Sequence, residues 1–185
     1  MRDPNSVEWA DLSGSINDRA RTERAGTTVT FTPEGSGIES RVTDSVGRFA
    51  FELPTGIAGH LDAMREYDPR VDRNLTARDA LDVLRLVLGI APSWGPATAI
   101  DFIAADINQD GQASAADAMD VLRAAVGLQI DNLPRWVFLD SAADLSEISR
   151  SNTAIETGVR IDALTAGLAE VSMTGILLGS MQEFV

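Results

Sequence analysis

Cysteine is absent from the 185-residue sequence, which excludes disulfide bonds, zinc–thiolate clusters and a cysteine nucleophile. Basic residues are also few, because 15 Lys and Arg stand against 28 Asp and Glu, for a net charge of -13. A nucleic-acid partner or an anionic membrane surface would require a basic patch, so we expect neither. No apolar run approaches the roughly 20 residues of a membrane span, and we expect no membrane insertion.

Catalytic signatures are missing as well. His60 is the single histidine, and it is predicted to lie at the surface. No serine lies in a G-x-S-x-G turn, and no glycine-rich loop has the spacing that holds a phosphate. Carboxylates are abundant, but none is set apart as an acid and base pair outside the loops described below. We therefore predict a protein that is not an enzyme.

The first third of the chain has the pattern of short strands. The segments "TTVTFTP" and "GRFAFELP" alternate apolar and polar residues, and turn sequences flank them. The stretch "VTDSVGRFAFELPTG" resembles the motif of carboxypeptidase-regulatory-like and transthyretin-like β-sandwich modules. That resemblance implies a small antiparallel β-sandwich that serves as a spacer or adhesion unit and has no chemistry of its own.

The middle of the chain contains an internal duplication. The segments "DALDVLRLVLGI" (79–90) and "DAMDVLRAAVGL" (117–128) share seven positions in register. Both place apolar residues at helical spacing, as amphipathic helices do, namely Leu81, Leu84 and Leu88 in the first copy and Met119, Leu122 and Val126 in the second. A short connecting helix is predicted between the copies, within 97–106.

The last region, from about 131, returns to an alternating pattern in "RWVFLD", "GVRIDAL" and "EVSMTGILLG". It is too short for a core of its own. The predicted organisation is α+β: a β-sandwich module over 1–67, a helical pair over 68–130, and C-terminal strands over 131–185 that complete the sandwich. A separate hairpin that packs on the helices is the alternative.

The loop before the second helix has the oxygen spacing of a calcium loop. Calcium takes six to eight oxygen ligands, and a 12-residue loop supplies them from positions 1, 3, 5, 7, 9 and 12 around a glycine at position 6. Gly111 lies at position 6. The predicted ligands, in loop order, are Asp106, Asn108, Asp110, Gln112 through its backbone carbonyl, Ser114 and Asp117. The alternative is an acidic turn in which Ser114 and Asp117 only cap the helix.

The loop of the first repeat, "DPRVDRNLTARD" (68–79), is less regular. Its candidate ligands are Asp68, Asp72, Asn74, Thr76 and Asp79. Arg70 occupies position 3, where an acceptor is needed, and Arg73 replaces the glycine of position 6. A metal-free loop in which the arginines pair with neighbouring aspartates is therefore the alternative to calcium here.

The doubled loop–helix unit, with aspartate at position 12 and the helix start D-A-x-D-V-L-R, resembles the type I dockerins over 68–128. The resemblance implies calcium as cofactor, an F-hand fold in which each loop has only its exiting helix, and docking to a cohesin-like domain in an extracellular complex of secreted bacterial proteins. The hydroxyl pair that this family places at loop positions 10 and 11 is replaced by Ala77-Arg78 and Ala115-Ala116. The alternative function is a structural subunit of a surface layer, filament or adhesin, whose partners are copies of itself and in which calcium only rigidifies the fold.

Overall fold

The computed structural model describes residues 7–35 and 37–181, and the chain divides into two compact units. We name the first the sheet unit; it comprises the chain up to Arg65 together with Phe138–Ala142 and Thr157–Gly175. We name the second the helical unit; it comprises Glu66–Val137, Ala143–Glu156 and the described residues from Ile176 to Met181. Both units are therefore built from segments that are far apart in sequence.

The described residues form strands and short helices in the following order: β1 (Trp9–Asp18), β2 (Thr28–Pro33), β3 (Glu39–Val42), β4 (Arg48–Pro54), β5 (Gly59–Met64), α1 (Ala77–Val87), α2 (Ala99–Ala105), α3 (Ala115–Ala125), β6 (Trp136–Asp140), β7 (Val159–Ile161) and β8 (Gly167–Leu177). The chain is thus mainly β-structure with three short helices. None of the helices in the described part of the chain is long and apolar enough to cross a membrane.

Two four-stranded sheets are present, with strand orders β4-β1-β8-β6 and β3-β2-β5-β7. Their inner faces meet at Phe31 of β2 and Phe51 of β4, whose ring centroids are 6.3 Å apart. Phe49 on β4 adds an edge-on contact to Phe51 at 6.0 Å. Alternation along β2 and β4 buries the apolar residues and exposes their neighbours, which is the pattern of strands with one face in a core. The architecture agrees with a small β-sandwich.

The prediction of an antiparallel sandwich is wrong for the pairing of β1 with β8. Strands β1 and β8 run parallel, in register from Ala10 opposite Gly167 to Asp18 opposite Gly175. Strand β7 joins the other sheet through antiparallel pairing with β5. A parallel pair requires a long crossover connection, and here the rest of the chain supplies it. Local alternation cannot reveal such a pairing because it carries no information on strand direction.

Each helix in the helical unit begins with a hydroxyl residue whose side chain is paired with an aspartate three residues later. The pairs are Thr76 with Asp79, Thr98 with Asp101, and Ser114 with Asp117. These capping boxes satisfy backbone N–H groups that would otherwise have no partner at a helix start. The predicted connecting helix is confirmed as α2, and α1 and α3 are the two predicted helices of the duplication.

The buried side of the two repeat helices is not the leucine-rich side. Helix α1 buries Ala80, Val83 and Leu86, and α3 buries the equivalent Ala118 and Val121. The apolar residues that define the amphipathic pattern point the other way, with exposed fractions between 38% and 64%. They are Leu81, Leu84 and the C-cap Leu88 for α1, and Met119, Leu122 and the C-cap Val126 for α3. We call these two sets the apolar rows.

The core of the helical unit is completed by a segment from the end of the described chain. Ile176, Leu178 and Met181 are almost fully buried, and the Gly179 N–H donates to the Ala104 carbonyl at 2.7 Å. A side chain at Gly179 would meet Leu75 and Ile107 side-chain atoms at 2.8 and 3.0 Å. The predicted region 131–185 is therefore shared between the two units, because its apolar runs supply one core and then the other.

Candidate metal centre

The second loop folds around the carboxylate of Asp106. Asp106 Oδ1 accepts the N–H of Asp110 at 3.2 Å, and Oδ2 accepts the N–H of Gly111 at 3.0 Å. Gly111 has a φ of +91° and Gln109 a φ of +57°, so the chain turns sharply where the glycine is expected. A left-handed backbone favours glycine. The predicted turn at position 6 is therefore present.

The next two side chains of the second loop are tied to its backbone. Asn108 Oδ1 accepts the N–H of Asp110 at 2.8 Å, and Asp110 Oδ1 accepts the N–H of Gln112 at 3.0 Å. The Asn108 amide donates to Asp110 Oδ2 at 3.0 Å. These contacts bring the side chains of positions 1, 3 and 5 into one short, closed turn.

Asp117, at position 12, is fully buried and lies against both ends of the loop. Its Oδ2 accepts the N–H and the hydroxyl of Ser114 at 2.9 and 2.8 Å, and its Oδ1 accepts the Asn108 N–H at 3.3 Å. Burial raises the pKa of the Asp117 carboxyl and the charge of Asp106 adds to the rise, whereas the hydrogen bonds from Ser114 and Asn108 oppose it. A nearby cation would relieve both the burial cost and the repulsion.

The donor chemistry of the second loop fits a hard cation. Every predicted ligand offers an oxygen, and no positively charged side chain lies among the loop positions. Within residues 7–35 and 37–181, no group of three His, Asp or Glu side chains is gathered closely enough to hold a metal by itself. The reason is visible in the hydrogen bonds, since each carboxylate faces a backbone N–H of its own loop. Calcium ligation would exchange some of these contacts for the ion.

In the first loop, groups from distant segments of the chain donate hydrogen bonds to the carboxylates. Asp72 Oδ2 accepts the Asp68 N–H at 2.9 Å and the indole N–H of Trp136 at 3.1 Å. Asp79 Oδ1 accepts the Met181 N–H at 2.8 Å, while its Oδ2 accepts the N–H of Thr76 at 2.8 Å. Donors from outside the loop, Trp136 and Met181, therefore hold two of its aspartates, whereas Asp106 of the second loop accepts one such donor, the hydroxyl of Thr153.

The remaining positions of the first loop also depart from the calcium pattern. Asn74 Oδ1 accepts the Tyr67 hydroxyl at 3.3 Å, and the Arg70 N–H donates to Asp68 Oδ1 at 2.9 Å. Arg73 does not adopt the left-handed conformation that Gly111 has at the same position. Burial raises the pKa of the Tyr67 hydroxyl, and the charges of Asp72 and Asp68 add to the rise. Positions 3 and 6 of this loop therefore do not match the calcium pattern.

Sequence reasoning missed the groups that reach the loops from other segments. Thr153 donates its hydroxyl to Asp106 Oδ2, and Trp136 and Met181 donate to the first loop as described. These donors lie between 47 and 102 positions from their acceptors. Short motifs contain no signal for such contacts. His60, in contrast, is half-exposed as predicted, with its Nε2 3.1 Å from the Thr157 carbonyl oxygen and 3.5 Å from Asp62 Oδ1.

No protein-family model matches the chain, and no curated protein matches it. Among solved structures, it is similar to the dioxygenase domain of a dioxygenase carbohydrate-binding protein fusion from Streptomyces sp. SirexAA-E, with 15% identity, 34% of this chain and 52% of that chain covered, and a TM-score of 0.28. It is also similar to 3-chlorocatechol 1,2-dioxygenase from Rhodococcus opacus 1CP, with 13% identity, coverages of 37% and 43%, and a TM-score of 0.28.

A third structure is the C-terminal fragment of pilus adhesin SpaC from Lactobacillus rhamnosus GG. It has 11% identity and a TM-score of 0.31, with 94% of this chain and 45% of that chain covered. The chain thus spans about half or less of each of these structures. Matches with such TM-scores assign no function to the chain.

Proposed function

We propose that this chain is a non-enzymatic, extracellular calcium-binding module that docks a protein partner, such as a cohesin-like domain, through the apolar rows of α1 and α3. The observation that carries the proposal is the repetition of the exposed row: three large apolar side chains recur at equivalent positions of both helices and face away from the core. Large apolar side chains clustered at a surface are typical of interaction sites.

The cation has a defined place in this proposal. Calcium would be held by Asp106, Asn108, Asp110, the Gln112 carbonyl, Ser114 and Asp117. Its two positive charges would offset most of the negative charge of the three aspartates. The first loop, whose Asp72 and Asp79 accept donors from Trp136 and Met181 and whose positions 3 and 6 carry arginines, would stay metal-free. Because a ligand that binds only the folded state stabilises it by about 2.7 kcal/mol at 100 times its Kd, calcium would hold α3 and its apolar row in place outside the cell.

Partner recognition would rest on the helices rather than on the loop ends. The loop positions 10 and 11 carry Ala77-Arg78 and Ala115-Ala116, which supply no hydroxyl group. Arg85 and Arg123 flank the rows, and each lies near an aspartate three residues earlier, Asp82 at 3.8 Å and Asp120 at 3.4 Å. An apolar centre with charged groups at its edge is the usual composition of a docking surface.

Calorimetric titration with calcium, after treatment with a chelator, tests the metal site. Wild-type protein is expected to bind one ion, and Asp110→Ala is expected to lose binding or weaken it strongly. Asp144→Ala is the matched control, because Asp144 is an exposed aspartate of the same unit whose carboxylate also closes a turn, through the Ser146 N–H at 3.0 Å. Equal calcium affinity of all three proteins, or no calcium binding by the wild type, would contradict the calcium proposal.

Docking is tested with purified cohesin domains as probes, with calcium and with chelator. The proposal expects binding that requires calcium and disappears in the double variant Leu84→Ser, Leu122→Ser. The structural-subunit alternative is favoured by a different observation, the many protein donors that already hold both loops. This alternative predicts that the chain does not bind cohesin but associates with itself in the presence of calcium. Light scattering would detect the self-association, which is expected to disappear in the same double variant. A monomer that binds no probe would contradict both.

A further inference from the structure

A tight turn at 149–153 lies against the second loop within the helical unit. Ser149 and Asn152 close the turn by exchanging backbone hydrogen bonds at 2.9 and 3.1 Å. Two further backbone bonds attach it to the loop: the Ala113 N–H donates to the Arg150 carbonyl at 2.9 Å, and the Thr153 N–H donates to the Gly111 carbonyl at 3.0 Å. The turn is therefore a direct neighbour of loop positions 6 and 8.

The side chain of Thr153 reaches the first ligand position. Its hydroxyl donates to Asp106 Oδ2, the oxygen that also accepts the Gly111 N–H. Thr153 and Asp106 are 3% and 4% exposed, so water does not compete for this contact. With two donors on one oxygen, the carboxylate of Asp106 is held in a single orientation.

The turn is anchored at its other end by Arg150. The guanidinium Nη1 donates to the Val87 carbonyl at 2.6 Å, at the last residue of α1. Carbonyl groups at a helix end lack intrahelical partners and carry partial negative charge, so a cation is well placed there. The turn is thus held by the first repeat as well as by the second loop.

We propose that Thr153 is a positioning residue for the calcium loop, which acts by orienting Asp106. This inference rests on the proposed function, because it requires the second loop to bind calcium. A metal ligand is commonly oriented by a second hydrogen bond from outside the ligand set, and loss of that partner weakens metal binding by about 10–100-fold. The turn at 149–153 supplies this partner from a segment that has no loop motif of its own.

The test is a calcium titration of the intact chain in the wild type, Thr153→Val and Thr153→Ser. Thr153→Val removes the hydroxyl at nearly constant volume, and its Kd for calcium is expected to rise about tenfold. Thr153→Ser keeps the hydroxyl and is expected to stay within about twofold of the wild type. Thr153→Ala is measured in parallel, and circular dichroism in chelator shows which variants are folded before titration.

Ser93→Ala is the matched control. The Ser93 hydroxyl donates to Asp82 Oδ2 at 3.0 Å, and Asp82 is fully buried, but neither residue contacts the second loop. This variant is expected to melt at a lower temperature while its Kd for calcium stays unchanged. A purely structural role of Thr153 would give the same pattern.

The outcomes separate the two proposals. A wild type that binds calcium, with weakened binding in the variants without the hydroxyl and recovery in Thr153→Ser, supports the positioning role. A wild type that binds calcium with the same Kd in all folded variants overturns that role and leaves the calcium site standing. A wild type that binds no calcium overturns both.

Discussion

The backbone N–H of Met181 donates to Asp79 Oδ1 at 2.8 Å and so joins two residues of the helical unit that are 102 positions apart. Asp79 is fully buried, and its second oxygen accepts the N–H and the hydroxyl of Thr76. A carboxylate that is buried without partners is costly, whereas one that accepts several hydrogen bonds is stable. Position 12 of the first loop is therefore satisfied by the protein alone.

Asp79→Asn tests this arrangement. The change turns one acceptor oxygen into an amide that must face an N–H donor, so we expect the free energy of unfolding to fall by about 2–3 kcal/mol. Because no ion is involved, the loss should be equal in calcium and in chelator. Urea unfolding followed by circular dichroism measures it, with exposed Asp144→Asn as the control. A loss confined to calcium-containing buffer would show that Asp79 is a metal ligand.

A second prediction concerns a variant in which the calcium-loop pattern is restored in the first loop. The double variant Arg70→Asn, Arg73→Gly restores an acceptor at position 3 and a glycine at position 6. We expect it still to bind a single calcium ion, because Trp136 and Met181 keep their hydrogen bonds to Asp72 and Asp79. The number of calcium ions bound per chain, measured by calorimetric titration, tests this prediction. A second binding event would mean that the two arginines alone exclude the ion.

The orientation of the repeat helices gives a third prediction. Leu81→Gln and Met119→Gln change side chains that are about half exposed, and we expect shifts in unfolding free energy within about 0.5 kcal/mol. The control variants Val83→Ala and Val121→Ala remove methyl groups from fully buried sites, and each is expected to cost about 2 kcal/mol. A larger cost for the glutamine variants would place the apolar rows inside the fold.

The packing of the final segment gives a fourth prediction. Gly179→Ala adds a methyl group to a residue with a φ of +85°, and the side-chain ends of Leu75 and Ile107 would lie 2.8 and 3.0 Å from it and would have to shift. We expect a loss of about 3 kcal/mol. Gly127 has a φ of +73° and open space around it, so Gly127→Ala should cost only about 1 kcal/mol. Thermal unfolding of the two variants measures the difference. Equal losses would show that Gly179 does not pack against the helices.

Much of the secondary structure could be predicted from local patterns. Alternation in "TTVTFTP" and "GRFAFELP" marks β2 and β4, and the duplicated helix starts mark α1 and α3. Strand β3 is harder to detect, because Glu39–Val42 is largely exposed and carries no apolar alternation. The parallel pairing of β1 with β8 is not encoded in either strand.

The apolar rows show a second limit of prediction from the local sequence pattern. Periodicity identifies Leu81, Leu84 and Leu88 as one side of a helix, and burial is the usual assumption for such a side. Here the opposite side is buried, and it includes Asp79 and Asp82, whose carboxylates accept hydrogen bonds from Met181 and Ser93. Since those donors lie outside α1, 102 and 11 positions from their acceptors, the buried side of α1 is not visible in its own pattern.

The contribution of Ile176–Met181 to the helical unit affects the order in which the protein can fold during synthesis. A ribosome that has just added Val137 has made all three helices but not the donor for Asp79, which comes 44 residues later. At about 5–20 residues per second, that interval lasts about 2–9 s. During that interval the core of the helical unit lacks Ile176, Leu178 and Met181. The nascent chain therefore passes through a stage in which all three helices have been made while the core of the helical unit is still incomplete.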